Sequence, residues 1–421
     1  MCPQTEIASG LSSRREEPGA SRIRVLMLCS HPTQYGSPMW RKMAQHPKLD
    51  MLVAYCSMGG AESHIDPDFG VEVAWDVPLL DGYEWTKIKN MSPRQSTRGF
   101  FGLVNPGVGT LVQKGRFDAV LVFTGYMCAT FWIALTAAKL AGVPILYGAD
   151  ATTLHPQDGR SWKAPIKQHL WPRLFRMADV VMVPSSGTAA LMRSLCIPEN
   201  RMQLTPYVVD NDWWTAMASR IDRKAVRSKW NIPDDASVVL FCAKLQPWKR
   251  PQDLLRAFAS AGIRDSYLVY AGDGAMRGQL ENEAAKLHIQ ERVRFLGFVN
   301  QSALPSVYCS SDVMVLPSEY EPFGVVVNEA MLCGCPVIAS NHVGARFDLV
   351  REGETGFVFP MGDISALSTV LRDAFRSTGP LKQMGDAARK RMSQWTPEMN
   401  IEATMEAIEK AIHFKAARVR K

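Results

Sequence analysis

Two glutamates, Glu321 and Glu329, bracket the start of a predicted helix in the C-terminal half of the chain. The helix is predicted to begin near Phe323 or Gly324 and to end before Gly334, with Glu329 on its second turn and Glu321 in the preceding turn. Backbone N–H groups at a helix start favour an anion, and carboxylates accept hydrogen bonds from hydroxyl groups. The stretch therefore predicts a site for a ligand that carries phosphate and hydroxyl groups, as a nucleotide-sugar does.

A pair of lysines, Lys244 and Lys249, follows an apolar stretch that is predicted to be a strand. The two side chains are expected to face one cleft. When a sugar leaves a nucleoside diphosphate, negative charge grows on the bridging oxygen, and preorganised cations stabilise that transition state. Because lysine supplies a point charge rather than the bidentate fork of arginine, Arg250 is a further candidate for this role. The alternative is that these residues form a solvated charge cluster.

The N-terminal half carries two further candidates. Asp150 stands at the carboxyl end of a predicted strand, where a carboxylate can accept the proton of an acceptor hydroxyl. An aspartate in that position is equally often a helix cap. Gly36 lies in the loop after the first predicted strand, where it either lets a backbone approach a ligand or simply forms a turn. Both interpretations stay open for each residue.

The elements that position these residues alternate between strands and helices in both halves, which predicts an α/β fold with parallel sheets. We expect two Rossmann-like, doubly wound domains that face each other across a cleft, the architecture called GT-B. Ligands in such sheets sit beyond the carboxyl ends of the strands. The predicted segments are a disordered leader (1–21), an N-terminal acceptor domain (22–207), a connection (208–231), a C-terminal donor domain (232–395), and a helix with a basic tail (396–421) that is a candidate for packing back onto the N-terminal domain.

Nearly the whole chain, from about residue 22 to residue 391, resembles the glycosyltransferase-4 family of retaining enzymes, also described as glycosyl transferases group 1. Glu321 and Glu329 fit the E-x7-E signature of that family. The loop 243–251 fits the family's diphosphate-binding loop, except that Lys244 stands where the family usually has arginine. Further matches follow in the expected order at 271–274, 300–301 and 348–358. Ordered matches of this kind are more specific than any single motif.

The resemblance implies roles for the matched residues. Glu329 would hold the ribose hydroxyls of the nucleotide, and Glu321 would contact hydroxyls of the transferred sugar. The loop at Phe298 would seat the base through backbone groups. The other implied donor contacts are the turn at Gly272 and the backbone of Phe323, Gly324 and Val325. The expected catalytic set is Glu321, Lys249, Lys244 and Asp150, with Gly36 as an additional donor-contacting candidate.

The implied activity is transfer of a sugar, with retention of configuration, from a nucleotide-sugar to a hydroxyl of a glycan, a lipid-linked acceptor or a small-molecule glycoconjugate. The resemblance implies that no metal and no cofactor take part. Two alternatives remain open: a sugar-nucleotide epimerase of the same fold, and a non-catalytic protein that binds a nucleotide-sugar or a membrane. The base, the sugar, the acceptor and the role of residues 66–89 are not specified by the sequence.

Charge and composition limit the possible partners. The net charge of +7 over 421 residues suits anionic ligands or an anionic membrane, and no clustered reading motif for nucleic acid is present. None of the nine cysteines forms a CxxC pair, which indicates reduced thiols in a cytoplasmic protein. Residues 1–21 are polar and predict no secretory signal.

One segment, 160–176, combines basic and aromatic residues. That composition is typical of a helix lying on a membrane surface, and it predicts weak peripheral contact with the inner face of the membrane at most. Prolines interrupt the segment, and this favours the alternative of a packed aromatic helix with a solvated face.

Overall fold

The computed structural model describes residues 22–62, 64–65, 72–97, 99–155, 160, 162–376 and 378–419. The predicted leader, 1–21, lies outside the described residues, as does part of the segment 66–89. Within the described part of the chain, the two halves each build a parallel sheet covered by helices on both faces. The predicted two-domain α/β architecture is confirmed.

The first sheet has seven parallel strands. Val25 and Met27 of its central strand pack in one core layer, whereas Leu26 and Leu28 pack in the layer on the other face. Burial on both faces explains the uninterrupted apolar runs of these strands. The strands are β1 (Ile23–Cys29), β2 (Leu49–Tyr55), β5 (Glu84–Lys87), β6 (Ala119–Val122), β7 (Ile145–Gly148), β8 (Val180–Val183) and β9 (Met202–Leu204), in the spatial order β5-β2-β1-β6-β7-β8-β9; a separate antiparallel pair consists of β3 (His64–Ile65) and β4 (Glu72–Val73).

Five helices connect the strands of this sheet. They are α1 (Gly36–Met43), α2 (Gly107–Lys114), α3 (Ala129–Ala141), α4 (Lys163–Met177) and α5 (Ser186–Ser194). Ser185 caps the last of them, because its Oγ accepts a hydrogen bond from Thr188 N at 3.1 Å. Two helices, α6 (Asn211–Ala218) and α7 (Arg223–Lys229), then lead into the second half.

The second sheet has six parallel strands. They are β10 (Ser237–Cys242), β11 (Ser266–Ala271), β12 (Val293–Gly297), β13 (Val313–Leu316), β14 (Val337–Ser340) and β15 (Gly356–Phe359), in the spatial order β12-β11-β10-β13-β14-β15. The helices of this half are α8 (Pro251–Ala261), α9 (Arg277–Lys286), α10 (Leu304–Cys309), α11 (Val326–Leu332), α12 (Ile364–Ala374) and α13 (Thr378–Met392).

The last helix, α14 (Pro397–Val419), lies against the first sheet rather than the second. Lys410 Nζ donates to Met202 O at 3.1 Å, and Gln203 Nε2 donates to Glu406 Oε2 at 2.9 Å. Asn400 Nδ2 donates to Pro206 O at 2.7 Å. The chain thus crosses between the two halves twice, and the second crossing ties its C-terminal end to the N-terminal sheet.

The order of strands reverses beside the first strand of each sheet, between β1 and β6 and between β10 and β13. Loops that leave such neighbouring strands diverge to opposite faces of the sheet and leave a crevice between them. The loop with Lys244 and Lys249 follows β10, and the turn with Glu321 follows β13. The topology therefore brings the two predicted donor-site segments to one crevice.

Some elements differ from the sequence-based expectation. The helix α11 begins at Val326, so the prediction of a start near Phe323 or Gly324 was wrong by two residues, and Glu329 lies in the first turn. The segment 66–89, predicted to be irregular, contributes the edge strand β5, whose residues are mostly exposed and show no apolar run. No helix within the described residues is both long and apolar enough to cross a membrane.

Candidate active site

A rigid turn holds Glu321. Gly324 has a φ of +97°, and a Cβ there would lie 3.1 Å from Glu321 Cγ, so a side chain would be strained in both conformation and space. Gly344 N donates to Glu321 O at 2.9 Å, and Ala345 N donates to Phe323 O at 2.7 Å. The turn is therefore fixed by the segment that follows β14, and it delays the start of α11.

Lys249 Nζ forms an ion pair with Glu321 Oε2. The side chains are 18% and 13% exposed, respectively, so the pair is shielded but opens on the crevice. A hydrogen bond from Glu319 N to Trp248 O, 2.8 Å long, joins the same two segments. The structure thus brings the predicted diphosphate loop and the predicted sugar-contacting carboxylate into direct contact.

Arg250 and Lys244, the other two cations of this loop, have surroundings that differ from those of Lys249. Arg250 is held by carboxylates: its Nε lies 2.5 Å from Asp253 Oδ2, and its Nη1 lies 3.1 Å from Glu319 Oε2. Lys244 is half-buried just beyond β10. The guanidinium of Arg250 is committed to these two partners, which makes it a weaker candidate for sharing the diphosphate with Lys249.

Gly272, at the end of β11, allows the loops beyond two strands to approach each other. Its φ is +145°, and a Cβ would lie 2.0 Å from the carbonyl oxygen of Ala243, the residue before Lys244. The main chain of Gly272 donates to Gly297 O at 2.8 Å. The glycine therefore has a packing role beside the lysine loop, and its contact with a donor stays a prediction.

Glu329 is buried, with 4% of its surface exposed. Tyr308 Oη, on α10, donates a hydrogen bond to Glu329 Oε2 at 2.8 Å, and the side chain of Gln301 also hydrogen-bonds to the carboxyl group. Burial raises the pKa of Glu329 to about 7, although these two hydrogen bonds act to lower the pKa. In its ionised form, this carboxyl group can accept hydrogen bonds from the hydroxyl groups of a ligand that displaces water.

Asp150 follows β7 and faces Glu321 across the crevice. Asp150 is exposed at the surface of the crevice, and partial loss of hydration there raises its pKa. The negative charge of Glu321 raises that pKa further. The next described helix, α4, has Trp162 at its N-cap, so Asp150 does not cap that helix.

Tyrosines from both halves surround Asp150. The pKa values of Tyr35, Tyr147, Tyr207 and Tyr320 are all raised, first by burial and then by the nearby charge of Asp150. Sequence analysis missed these rings because each lies in a different loop or strand end. They come together only when the two sheets face each other.

Gly36 is the first residue of α1. Its N–H donates to Thr33 Oγ1 at 3.1 Å, and a Cβ at this position would lie 2.7 Å from the same oxygen. The glycine also lines a cavity of about 150 Å³ beside Tyr35 and Tyr207. The close turn is therefore a structural requirement, and approach of a donor to Gly36 stays a prediction.

Phe298 lies in the loop that was predicted to seat the base. Its ring contacts that of Trp75 with centroids 5.8 Å apart. Asn300 Nδ2 donates to Ala74 O at 2.6 Å, and Asp76 N donates to Asn300 Oδ1 at 3.2 Å. The segment 74–76, which had no assigned role, thus links the first half of the chain to this loop.

Tyr308 and Gln301 were also missed by sequence analysis. Tyr308 sits in a short apolar helix, where its pattern is that of an ordinary core residue. Gln301 lies within the matched motif 300–301, which was the one available signal. Among the described residues, no group of three or more His, Cys, Asp or Glu side chains is placed to hold a metal ion.

The two sheets, the facing crevice and the paired acidic and basic residues define a two-domain protein of the GT-B class. Two family models match this chain: "Glycosyl transferases group 1" over residues 222–391 and "Glycosyl transferase 4-like domain" over residues 50–208. Together they cover most of both halves. The chain belongs to this family of glycosyltransferases, as the E-x7-E motif indicated.

Relatives support this assignment. An uncharacterised glycosyltransferase of Methanocaldococcus jannaschii is 31% identical over 51% of this chain and 52% of its own length. A D-inositol 3-phosphate glycosyltransferase of Streptomyces scabiei is 35% identical over 45% of each chain. The chain therefore spans about half the length of these curated relatives. The crystal structure of Anabaena HepE with UDP has the same fold, with a TM-score of 0.70, 19% identity and coverage of 92% of this chain and 100% of HepE.

Proposed function

We propose that this protein is a retaining glycosyltransferase that moves a sugar from a nucleotide-sugar to an acceptor hydroxyl. The observation that carries the proposal is the Lys249–Glu321 ion pair, whose glutamate raises the pKa of Asp150 and lies eight residues before the buried Glu329. We assign the cation to the diphosphate, the carboxylate of Glu321 to the sugar and Asp150 to the acceptor, and the ion pair supports this assignment.

Glu329 and its neighbours would bind the nucleotide. A carboxylate can accept hydrogen bonds from both ribose hydroxyls, and the hydrogen bond from Tyr308 fixes its orientation. Phe298 and Gly272 lie at the ends of β12 and β11, on the side where a base would be seated. Uridine nucleotides are the first to test, because HepE is solved with UDP and also with UDP-glucose.

The ion pair must rearrange when the donor binds. Lys249 is paired with Glu321 in the structure. With donor present, Lys249 and Lys244 would turn to the diphosphate, while Glu321 and the backbone of Phe323, Gly324 and Val325 would meet the sugar and the diphosphate. Lys249 would exchange the carboxylate for the diphosphate, and Glu321 would exchange the ammonium group for the ligand. Neither charge would then be left unpaired in the shielded site.

In the transfer step, the bond between the anomeric carbon and the β-phosphate oxygen breaks, and its electron pair leaves with the diphosphate. The acceptor oxygen bonds to the same face of the anomeric carbon, and its proton passes to Asp150. The raised pKa of Asp150 makes it a stronger base than an ordinary aspartate, which suits proton abstraction from an alcohol. Lys249 and Lys244 stabilise the charge that grows on the leaving oxygen.

The test begins with a thermal-shift screen of UDP-, GDP- and ADP-sugars, since a ligand that binds the native state raises its apparent stability. Activity is then measured as acceptor-dependent release of the nucleoside diphosphate. Glu321→Ala should abolish transfer and keep the fold, whereas the exposed Glu354→Ala should leave both unchanged. Near-normal transfer by Glu321→Ala would contradict the proposal, and turnover of donor without any acceptor would indicate an epimerase instead.

We further propose that the protein acts in the cytoplasm and contacts the inner face of the membrane weakly. Every cysteine among the described residues is a free thiol, which suits a reducing compartment. The segment 160–176 supplies a basic helix for contact with anionic lipid. Flotation with anionic liposomes tests the contact, and failure to co-migrate would count against it.

A further inference from the structure

Helix α4 exposes an apolar stripe. Trp162, Ile166 and Leu170 recur every four residues and are 60%, 46% and 56% exposed, respectively. This spacing places them on one face of the helix. Trp171 and Phe175 lie on another face and are buried in the core. The outer face of α4 is thus exposed, as the predicted packed aromatic helix requires, but it carries an apolar stripe as well as polar residues.

This stripe forms one wall of a groove of about 1080 Å³. Met127 and Trp132 add apolar surface on the same side, and Trp248, from the lysine loop of the second half, closes the other side. The volume lies at the upper end of the usual range for small-molecule sites. A groove walled by both halves fits one elongated apolar molecule better than it fits a flat membrane surface.

The inner end of the groove reaches the proposed reaction centre. Tyr126 lines the groove, and its hydroxyl accepts a hydrogen bond from Trp171 Nε1 at 2.9 Å. The main chain of Trp248, on the opposite side of the groove, accepts a hydrogen bond from Glu319 N at 2.8 Å, two residues before Glu321. At the opposite wall, Trp248 directly precedes Lys249. A molecule in the groove would therefore end beside the Lys249–Glu321 pair.

Basic residues border the apolar surface. Lys163 Nζ lies 5.8 Å from the ring of Trp162, and Lys167 Nζ lies 4.8 Å from the ring of Trp171. The segment from 160 to 178 contains no aspartate or glutamate. Long basic side chains of this kind cover apolar surface while keeping their charge at the edge. The groove is thus complementary to a hydrocarbon chain that carries an anionic group.

We propose that this groove binds the hydrocarbon chain of the acceptor. The chain lies along Trp162, Ile166 and Leu170, an anionic group such as a phosphate contacts Lys163 and Lys167, and the hydroxyl to be glycosylated reaches Asp150. The inference rests on the proposed glycosyl transfer and specifies its acceptor class as an amphiphile with an anionic linker. It differs from weak membrane contact because it requires one chain inside a groove.

The test measures binding of monododecyl phosphate, below its micelle-forming concentration, by calorimetry. Each buried methylene contributes about 0.8 kcal/mol, or about fourfold in affinity, so decyl and octyl phosphates should bind progressively more weakly. Inorganic phosphate alone should not bind measurably in the same range. Leu170→Glu should weaken binding of the dodecyl compound at least tenfold, whereas Leu140→Glu, at a 77% exposed position on α3, should leave it unchanged.

Three outcomes would overturn the inference. One is absence of binding by monododecyl phosphate, and another is equal binding by Leu170→Glu and the unmodified protein. The third concerns Leu170→Glu: it would abolish binding to phosphatidylglycerol vesicles but leave the affinity for monomeric dodecyl phosphate unchanged. That result would mean that the stripe binds a bilayer. UDP binding is measured on every variant: its retention keeps the proposed function intact, whereas its absence from the unmodified protein would count against that function separately.

Discussion

Tyr308 donates its hydroxyl hydrogen to Glu329 Oε2 across 2.8 Å, joining two helices of the second half beneath the crevice. Both side chains are almost fully buried. A buried carboxyl held by hydrogen bonds from Tyr308 and Gln301 has little freedom to turn, so its orientation toward a ligand is fixed. The same burial raises the pKa of Glu329 to about 7, and this has consequences for stability and for binding.

Glu329 should make the fold less stable at alkaline pH. Its pKa is about 7 in the fold and 4.5 in the reference state, so between these values the native state binds more protons than the unfolded state. Stability therefore falls as pH rises through this window, by about 3 kcal/mol in total, and is unaffected below it. Glu329→Gln should lose this dependence and be more stable at pH 8. Urea unfolding at pH 5 and pH 8 measures the change in the free energy of unfolding, with Glu354→Gln as the exposed control.

Nucleotide binding should release protons. If the ribose hydroxyls require the carboxylate form of Glu329, binding must deprotonate the group below pH 7, and affinity should rise up to tenfold per pH unit in that range. Calorimetry of UDP binding in buffers of different ionisation enthalpy counts the protons. Glu329→Gln should bind UDP more weakly and release fewer protons than the unmodified protein. Equal proton release by the two proteins would contradict the assignment of Glu329 to the ribose.

Loss of the cation at Lys249 should affect catalysis more than stability. Lys249→Met removes the charge that faces the leaving diphosphate, and we expect kcat to fall about 10²- to 10³-fold. Because the pair with Glu321 opens on the crevice, the free energy of unfolding should fall by only about 1–2 kcal/mol. Combining Lys249→Met with Glu321→Gln in a double-mutant cycle separates the two effects. A stability loss much larger than this, with kcat retained, would show that the pair is structural.

Arg227 should be a strong determinant of stability. It is fully buried, its Nε donates to Ser310 O at 2.9 Å, and its Nη2 lies 2.9 Å from Asp312 Oδ2. Arg227→Met would leave the carboxylate of Asp312 and several carbonyl groups without this partner, at a cost of about 3–5 kcal/mol. Denaturant unfolding measures the loss. Arg220→Met, on the exposed surface nearby, is expected to change stability by less than about 0.5 kcal/mol.

The contact between the halves at Asn300 should affect donor affinity. Asn300 makes two hydrogen bonds to the segment 74–76. Each of them stabilises this contact by about 1 kcal/mol. Asn300→Ala should therefore raise the KM for the donor about fivefold or more, with a smaller change in kcat, because the loop at Phe298 is then held less firmly against the first half of the chain. Steady-state kinetics with varied donor tests this. An unchanged KM would mean that this contact does not assist closure.

Much of the donor half could be predicted from its sequence. Apolar runs marked the strands, and the E-x7-E spacing placed Glu321 and Glu329 on either side of a helix start. The start itself was wrong by two residues because Gly324 adopts a left-handed conformation, which periodicity does not reveal. The sequence placed Lys249 and Glu321 each just after a predicted strand, and the structure shows that these are neighbouring strands at the point where the strand order reverses.

The partners of these residues were decided by the tertiary structure. Tyr308 meets Glu329 and Tyr207 lies near Asp150 through contacts between segments that are distant in sequence. The open choice for Asp150, between a base and a helix cap, depended on which elements surround it. Likewise, the outer face of α4 lines a groove together with Trp248 of the other half, a residue distant in sequence.

The sequence by itself therefore determined the two sheets, the family and the residues that carry charge in the donor loop, because these follow from local periodicity and spacing. Only the tertiary structure decided which carboxyl is buried, which carboxyl pairs with Lys249 and that Trp248 lines the apolar groove of α4. The physical reason is that burial and pairing arise from the packing of two halves against each other, and no local pattern encodes that packing.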